Sequence, residues 1–248
     1  MRTQLVFLLL LTFSFSACSQ RSSEQPSTTP SAKTTVHVDP ATAASITGVV
    51  KFAGAVPRPQ KIDMALDPAC GNQPAFDESL VVNNGDLVNV FVYVKDGPMA
   101  SAASTTPPII EQRGCRYHPH ILGVMAGQSV KIINADETTH NIHPMPKSSK
   151  QWNESQLPKG DPIVKTFSQP ELMIPVKCNQ HPWMRMYVNV VSSPYFAVTG
   201  PDGKFEIRGL PPGDYTLAAV HEKLGEQDVK ISLGSKESKT VEFSFKGQ

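Results

Sequence analysis

From residue 46 onward the chain is a succession of short Val-, Ile- and Phe-rich runs closed by turns, with no long amphipathic helical pattern among them. Runs of this length with partial period-2 alternation can bury a face only as strands, so the chain is constrained to an all-β architecture. The 22 prolines and 16 glycines among 248 residues supply the punctuation such a fold needs. A mature part near 200 residues is long enough for one large domain or two small ones. Lys plus Arg is 23 against 22 for Asp plus Glu. That balance argues against a dedicated nucleic-acid binder, which needs a basic face to displace counterions. No apolar stretch reaches the roughly 20 residues that span a bilayer as a helix, which excludes a multi-span transporter.

The pattern groups into modules. Ile46 to Phe52 predicts a strand and Gly54 to Pro59 a turn, followed by strands at Leu80 to Val82 and Leu87 to Val94. The stretch from Lys95 to Pro108 predicts a loop, and a second β pattern runs from Ile109 to about Val191. A third begins at Tyr195 and includes Lys204 to Ile207, Tyr215 to Val220, Val229 to Leu233 and Thr240 to Phe245. Asp202-Gly203 between strand residues is a strong hairpin signal.

The first 18 residues predict an export signal: Arg2, an apolar core from Leu5 to Phe15, then Ser16-Ala17-Cys18. The ending resembles a bacterial lipobox, with Phe15 where Leu is usual. That resemblance implies that Cys18 becomes a lipid-bearing N-terminus, and Ser19 after it implies the periplasmic face of the outer membrane. An ordinary cleaved signal is the plainer alternative. Residues 19–45, rich in Ser, Thr, Pro and Ala and without an aromatic, predict a flexible tether.

The chemistry-bearing residues fall in the middle module. Gly127 to Asp136 leads to His140-Asn141, and later comes Cys178-Asn179-Gln180-His181-Pro182-Trp183-Met184, followed by a closing strand from Tyr187 to Val191. A thiolate, two imidazoles and a thioether form a soft donor set that favours copper over calcium or magnesium. Cys178, His181 and Met184 share one short loop, and His140 must arrive from another. Two imidazoles and a thiolate with a weak axial thioether are the ligands of a blue-copper electron-transfer centre. His143 reads as a surface or supporting histidine. His118 and His120, beside Cys115, read as a Pro-containing strand start, with a second metal site as the alternative; His221 reads as structural.

With Cys18 lipidated and Cys178 among metal-type neighbours, Cys70 and Cys115 are left as a candidate disulfide. Two separate buried thiols fit the sequence equally well, because spacing does not show proximity.

The middle module, about residues 109–193, resembles the cupredoxins, and most of all their amicyanin-type loop. Asn134 and His140-Asn141 follow a Gly-x-x-Val strand, and Cys178-x-x-His181-Pro182-Trp183-Met184-Arg185 parallels the C-x-x-H-P-F-M-R loop. The resemblance implies His140, Cys178 and His181 as equatorial ligands of one type 1 copper ion and Met184 as the axial one, with Met186 the competing axial ligand. It implies that Asn141 ties the two ligand loops together. It also implies that His181 presents its edge in an apolar surface patch as the port for electrons. Gln180 stands where a proline is common.

The last module, Asp202-Gly203-x-Phe205-x-Ile207 through Leu210-Pro211-Pro212-Gly213-x-Tyr215-x-Leu217, resembles the transthyretin-like carboxypeptidase regulatory-like sandwich. In that family an opening I-x-G-x-V strand and a V-x-V strand come first, roles that Ile46 to Val50 and Val90 to Val92 fill here. The implied arrangement is one such sandwich, residues 46–108 and 194–248, interrupted by the cupredoxin module at 109–193; three units in sequence is the alternative.

These readings together predict a membrane-tethered blue-copper electron carrier of the bacterial envelope that meets a transient redox protein partner. A copper-delivery module, or an envelope scaffold or carbohydrate-binding protein with incidental copper, is the competing expectation. The chain has no Gly-x-Ser-x-Gly elbow, no His-Glu-x-x-His helix and no second His-x-His cluster, so it is not expected to be an enzyme.

Overall fold

The computed structural model describes residues 35–36, 38–71, 74–100 and 106–247. The export signal with Cys18, and most of the tether, lie outside the described residues. All regular elements among the described residues are strands, as the turn-punctuated pattern predicts.

Residues from both ends of the described chain share one β-sandwich. Strand Ala44–Ala53 is its hub: it pairs antiparallel with Lys204–Leu210, parallel with Ser238–Lys246, and at Lys51 with Asp86–Leu87. The facing sheet runs in the order Phe196–Val198, Phe91–Asp96, Gly213–His221, Gly225–Leu233. Strict burial alternation along Ala44–Ala53 turns Ala44, Ile46, Val50 and Phe52 inward, into the core they share with Val92, Leu217 and Ala219 of the facing sheet. Gly48 sits where a side chain has no room: a Cβ there would lie 2.4 Å from the Phe205 ring and 2.3 Å from the Val241 carbonyl oxygen.

The run from Leu87 to Val94, expected as one strand, is two. Asn89 adopts a left-handed backbone with φ of 61°, and the Thr199 hydroxyl accepts from the Val90 N–H at 3.0 Å. The kink passes the chain from the sheet holding Asp86–Leu87 to the opposite sheet at Phe91–Asp96. Asn is one of the few residues that tolerates that conformation. Gly225–Leu233 and Ser238–Lys246 are nine residues each, longer than their apolar cores suggested, because backbone pairing continues past the last apolar side chain.

The middle residues form a second sandwich. One sheet has the order Ile163–Thr166, Ser129–Asn134, Ile109–Gln112, Tyr117–His118; the other has Glu154–Gln156, His140–Pro144, Glu171–Lys177, Arg185–Val191, Ile121–Met125. Its core contains Ile110, Val130, Ile132, Ile142, Ile174, Val176, Val188 and Val190. Met64, Cys70 and Ala75 are buried in this core as well, although the sequence pattern groups them with the first sandwich. The chain reaches across because Ile62 N–H donates to the Ala75 carbonyl and Asp77 N–H to that of Gln60, closing a long excursion at its base. The Cys70–Cys115 disulfide fastens that excursion to the second sandwich. Of the two alternatives the cysteines left open, pairing is the one the structure adopts.

The two sandwiches meet along Phe91, Phe196, Ile121 and Val191, all on strands or at their ends. Gly123, in strand Ile121–Met125, lies flush against this seam: a Cβ there would come within 2.6 Å of both the Phe91 and Phe196 rings.

Candidate metal centre

At one end of the second sandwich, strand His140–Pro144 begins and strand Glu171–Lys177 ends, side by side. This register brings His140 next to the loop 178–184 that joins Glu171–Lys177 to Arg185–Val191. The loop closes on itself: Met184 N–H donates to the His181 carbonyl at 2.9 Å, and Cys178 N–H to that of Met184 at 3.3 Å.

The donor atoms of His140, Cys178 and His181 all lie within 4.8 Å of one another, and all three residues are buried. Both imidazoles turn Nδ1 inward. His140 Nδ1 is 2.9 Å from His181 Nδ1, and Cys178 Sγ is 3.7 Å from His181 Nδ1. An ion at about 2.0–2.1 Å from nitrogen and about 2.3 Å from sulfur, in a trigonal plane, would hold nitrogen and sulfur about 3.8 Å apart. The Cys178–His181 spacing already matches, whereas the two imidazole nitrogens, 2.9 Å apart, need to part by about 0.6 Å. The donor set therefore fits an ion bound by two nitrogens and one sulfur once the two nitrogens part.

Both outer edges of the imidazoles are engaged by carboxylates. His140 Nε2 lies 2.8 Å from Asp136 Oδ2, and His181 Nε2 lies 2.9 Å from Asp67 Oδ2. A carboxylate on Nε2 holds the proton there and leaves Nδ1 free as the ligand, the usual support of a metal-binding histidine. The Asp136 carboxylate also accepts from the backbone N–H groups of Gly114 and Cys115. Asp67 accepts from the Thr138 hydroxyl and the Ala69 N–H.

Protonation follows this network. Burial pushes the Cys178 thiol up, but His140 and the backbone N–H groups of Asn141, His181 and Gln180 outweigh burial and bring it from 9.0 down to about 6. Burial disfavours a charged His140, yet the Asp136 carboxylate and the Cys178 sulfur more than offset that and raise its pKa. The Asp67 carboxyl is held below its ordinary value, chiefly by the hydrogen bond from His181. Asp136 is likewise lowered: burial works against it, and His140 with the two backbone donors prevails.

Asn141 links the two ligand segments. Its N–H points at Cys178 Sγ, 3.5 Å away, and its Oδ1 accepts from Asn179 N–H at 2.7 Å. Tyr117 closes the floor, its hydroxyl donating to the Asn141 carbonyl. Met184 and Met186 are both fully buried. Met184 belongs to the ligand loop itself, whereas Met186 lies in strand Arg185–Val191 and shares its inward face with Val188 and Val190.

The other histidines have separate places. His143 is only half-buried and its Nδ1 meets Asn179 Oδ1. His118 Nε2 contacts the Arg113 carbonyl and His120 Nε2 the Glu222 carboxylate. The alternative of a second site made from these two with Cys115 fails, because Cys115 is consumed by the disulfide.

One implied feature is corrected. His181 was expected to present its edge at the surface, but it is 3% exposed. Asp67 occupies its Nε2 side, and the Trp183 ring packs against it with centroids 5.1 Å apart. Trp183 Nε1–H donates to the Cys115 carbonyl, which ties that ring to the disulfide loop. Sequence reasoning missed both carboxylates. Asp136 was legible in principle, lying only four residues before His140; Asp67, 114 residues before His181, carries no local signal.

No family model and no curated protein matches the chain. Among solved structures, a purple cupredoxin from Nitrosopumilus maritimus is similar over 34% of this chain and 98% of its own, at 24% identity and a TM-score of 0.29. A mutant of amicyanin in its Cu(I) state is similar over 40% of this chain and 97% of its own, at 17% identity and TM-score 0.31. A Cu-containing nitrite reductase from Thermus scotoductus SA-01 is similar over 57% of this chain but only 28% of its own, at 16% identity and TM-score 0.33. Scores this low concern only part of the architecture, and the chemistry rests on the donors themselves.

Proposed function

We propose that this chain is a one-electron carrier built on a single copper ion. His140 Nδ1, His181 Nδ1 and Cys178 Sγ would form the equatorial set, and Met184 the axial contact. The observation that carries this reading is the convergence of one buried, low-pKa thiol and two inward-turned imidazoles from two separate segments. A thiolate and two neutral imidazoles select a soft or borderline ion, and copper bound to them supplies one-electron redox chemistry with strong coupling through sulfur.

The protein's own part is to hold this geometry still. His140 is set by its strand and Asp136, His181 by the loop and Asp67, and Cys178 by Asn141. A ligand set fixed from outside changes little between oxidation states, so the barrier to moving one electron is small. Met184 is favoured over Met186 because it sits on the loop that carries His181 and bonds to its backbone. Electrons would pass to and from a transient protein partner, with Cys18 as lipid anchor of the exported chain on the periplasmic face of the outer membrane. In this reading the terminal sandwich is a regulatory-like, non-catalytic support, and the protein is not an enzyme.

Copper delivery is the second reading, favoured only if the centre exchanges metal readily. The test is a visible and paramagnetic-resonance spectrum of the copper-loaded full chain. An intense thiolate-to-copper band with narrow parallel hyperfine splitting, abolished in Cys178→Ser, is the expected result. A Cys178→Ser protein that stays coloured would sink the assignment.

A further inference from the structure

The two carboxylates that engage the imidazoles stand on two short loops, and one covalent bond joins the Asp67 loop to the Gly114-Cys115 loop, whose N–H groups hold the Asp136 carboxylate. Asp67 and Cys70 belong to the same tight turn, with Cys70 N–H donating to the Asp67 carbonyl at 2.9 Å. On the other side, the Cys115 N–H donates to Asp136 Oδ2 at 2.8 Å. Cys70 Sγ, an Asp67 oxygen and a His181 nitrogen lie within 4.8 Å of one another; so do Cys115 Sγ, an Asp136 oxygen and a His140 nitrogen. The sulfurs are paired with each other, so neither offers a free thiolate to a metal. The disulfide thus runs between the two carboxylate–imidazole pairs.

Besides the disulfide, the Asp67 turn is held by the hydrogen bonds its carboxylate accepts from Thr138 and His181 and by few apolar contacts. Within residues 60–71, Met64 and Cys70 are the buried apolar anchors and Ile62 packs partly buried beside them, while Leu66 is 80% exposed. A loop with so few buried contacts opens locally at low free energy unless it is fastened. When it is closed, His140 is 0% and His181 3% exposed.

We infer that the Asp67–Cys70 turn, fastened through Cys115 to the loop that holds Asp136, is a clamp that keeps His181 in its ligating orientation and closes the centre to metal exchange. Asp67 is its positioning residue and the Cys70–Cys115 disulfide its fastener. The clamp rests on the reading of His140, Cys178 and His181 as ligands, and it accounts for a carrier's need to retain its ion. An imidazole already held by a carboxylate needs no reorientation on binding, and loss of such a partner lowers metal affinity by about 10–100-fold.

Two measurements on the full chain separate the clamp from the carrier reading. The first uses metal-free protein and diethyl pyrocarbonate, with modified histidines located by mass spectrometry. His181 is protected in the wild type and in Asp67→Asn, whose amide oxygen still accepts the Nε2 proton. It is reactive in Asp67→Ala and in the Cys70→Ser, Cys115→Ser double variant. The second follows extraction of Cu(II) by excess EDTA. Asp67→Ala and the double variant release copper about 10–100-fold faster than wild type, and Asp67→Asn recovers most of the loss. Asp67→Ala keeps the disulfide, so it remains informative if the double variant does not fold. Wild-type protection and wild-type release in Asp67→Ala would overturn the clamp. A wild-type chain that takes up no copper would overturn the carrier, while the labelling pattern still decides the clamp.

Discussion

His140 Nε2 lies 2.8 Å from the Asp136 carboxylate four residues earlier, and that carboxylate is itself held by two backbone N–H groups of the loop at Gly114 and Cys115. The imidazole is therefore aimed before any ion arrives. Replacing Asp136 by Ala frees the ring to turn and leaves the two N–H groups without a partner. The expected outcome is a loss of metal affinity of about 10–100-fold in competition titrations with Zn(II) or Cu(II). A destabilisation of about 1–3 kcal/mol in denaturant unfolding should accompany it. Asp136→Asn, which keeps an acceptor, should lose less of both. Unchanged affinity in Asp136→Ala would show that the strand alone fixes His140.

The axial position separates Met184 from Met186. Both side chains are fully buried, so either substitution costs packing, but only Met184 lies on the ligand loop. Met184→Gln replaces a thioether by a harder oxygen donor, which favours Cu(II) and should lower the midpoint potential of the copper-loaded protein. Met186→Leu, close in volume, should leave the potential nearly unchanged. The reverse order in spectroelectrochemistry would make Met186 the axial ligand.

How much of this was legible in the sequence follows from where each signal resides. Cys178, His181 and Met184 are neighbours in sequence, so their shared loop could be read directly, and His140, followed by Asn141, stood out after an apolar strand as the imidazole that completes the set. The all-β class was legible because period-2 burial leaves a local imprint, as along Ala44–Ala53. The break at Asn89 was not, because a run of valines hides a single left-handed residue. The crossing of Met64 and Cys70 to the second sandwich was equally hidden, since it depends on tertiary packing and on a disulfide partner 45 residues away. Asp67 was invisible for the same reason. An Asx turn at Asp67-Pro68-Ala69 has the same sequence whether its carboxylate meets solvent or His181.

Gly123 gives a test of the seam between the sandwiches. Its missing side chain lets strand Ile121–Met125 approach Phe91 and Phe196, and a Cβ would press to 2.6 Å from both rings. Gly123→Ala should destabilise the protein by about 1–3 kcal/mol in urea unfolding, the usual cost of overpacking. Because Gly123 pairs with Asn189, further along strand Arg185–Val191 than the ligand loop, the copper spectrum of the folded variant should be unchanged. A variant as stable as wild type would mean the strands part at that seam without cost.

His221 predicts an acid limb of stability unrelated to the metal centre. Its ring is 2% exposed at the end of strand Gly213–His221, and Nδ1 accepts from the Lys223 N–H at 3.1 Å. Burial lowers its pKa from 6.5 to about 4; Glu222 works against that, while His120 and Lys223 add to it. Between pH 6.5 and 4 the unfolded chain binds a proton at this position that the folded chain refuses, so stability falls as the pH is lowered through that window. The full effect is at most about 3 kcal/mol, reached near pH 4. His221→Asn keeps an acceptor for Lys223 but removes the titration. Urea unfolding of metal-free wild type and variant from about pH 7 to about pH 4.5 should show the wild type losing stability more steeply. The other titrating groups are common to both proteins and cancel in the difference. Parallel pH profiles would mean that His221 takes up its proton in the folded state, and that its burial against Phe245 opens before the chain unfolds.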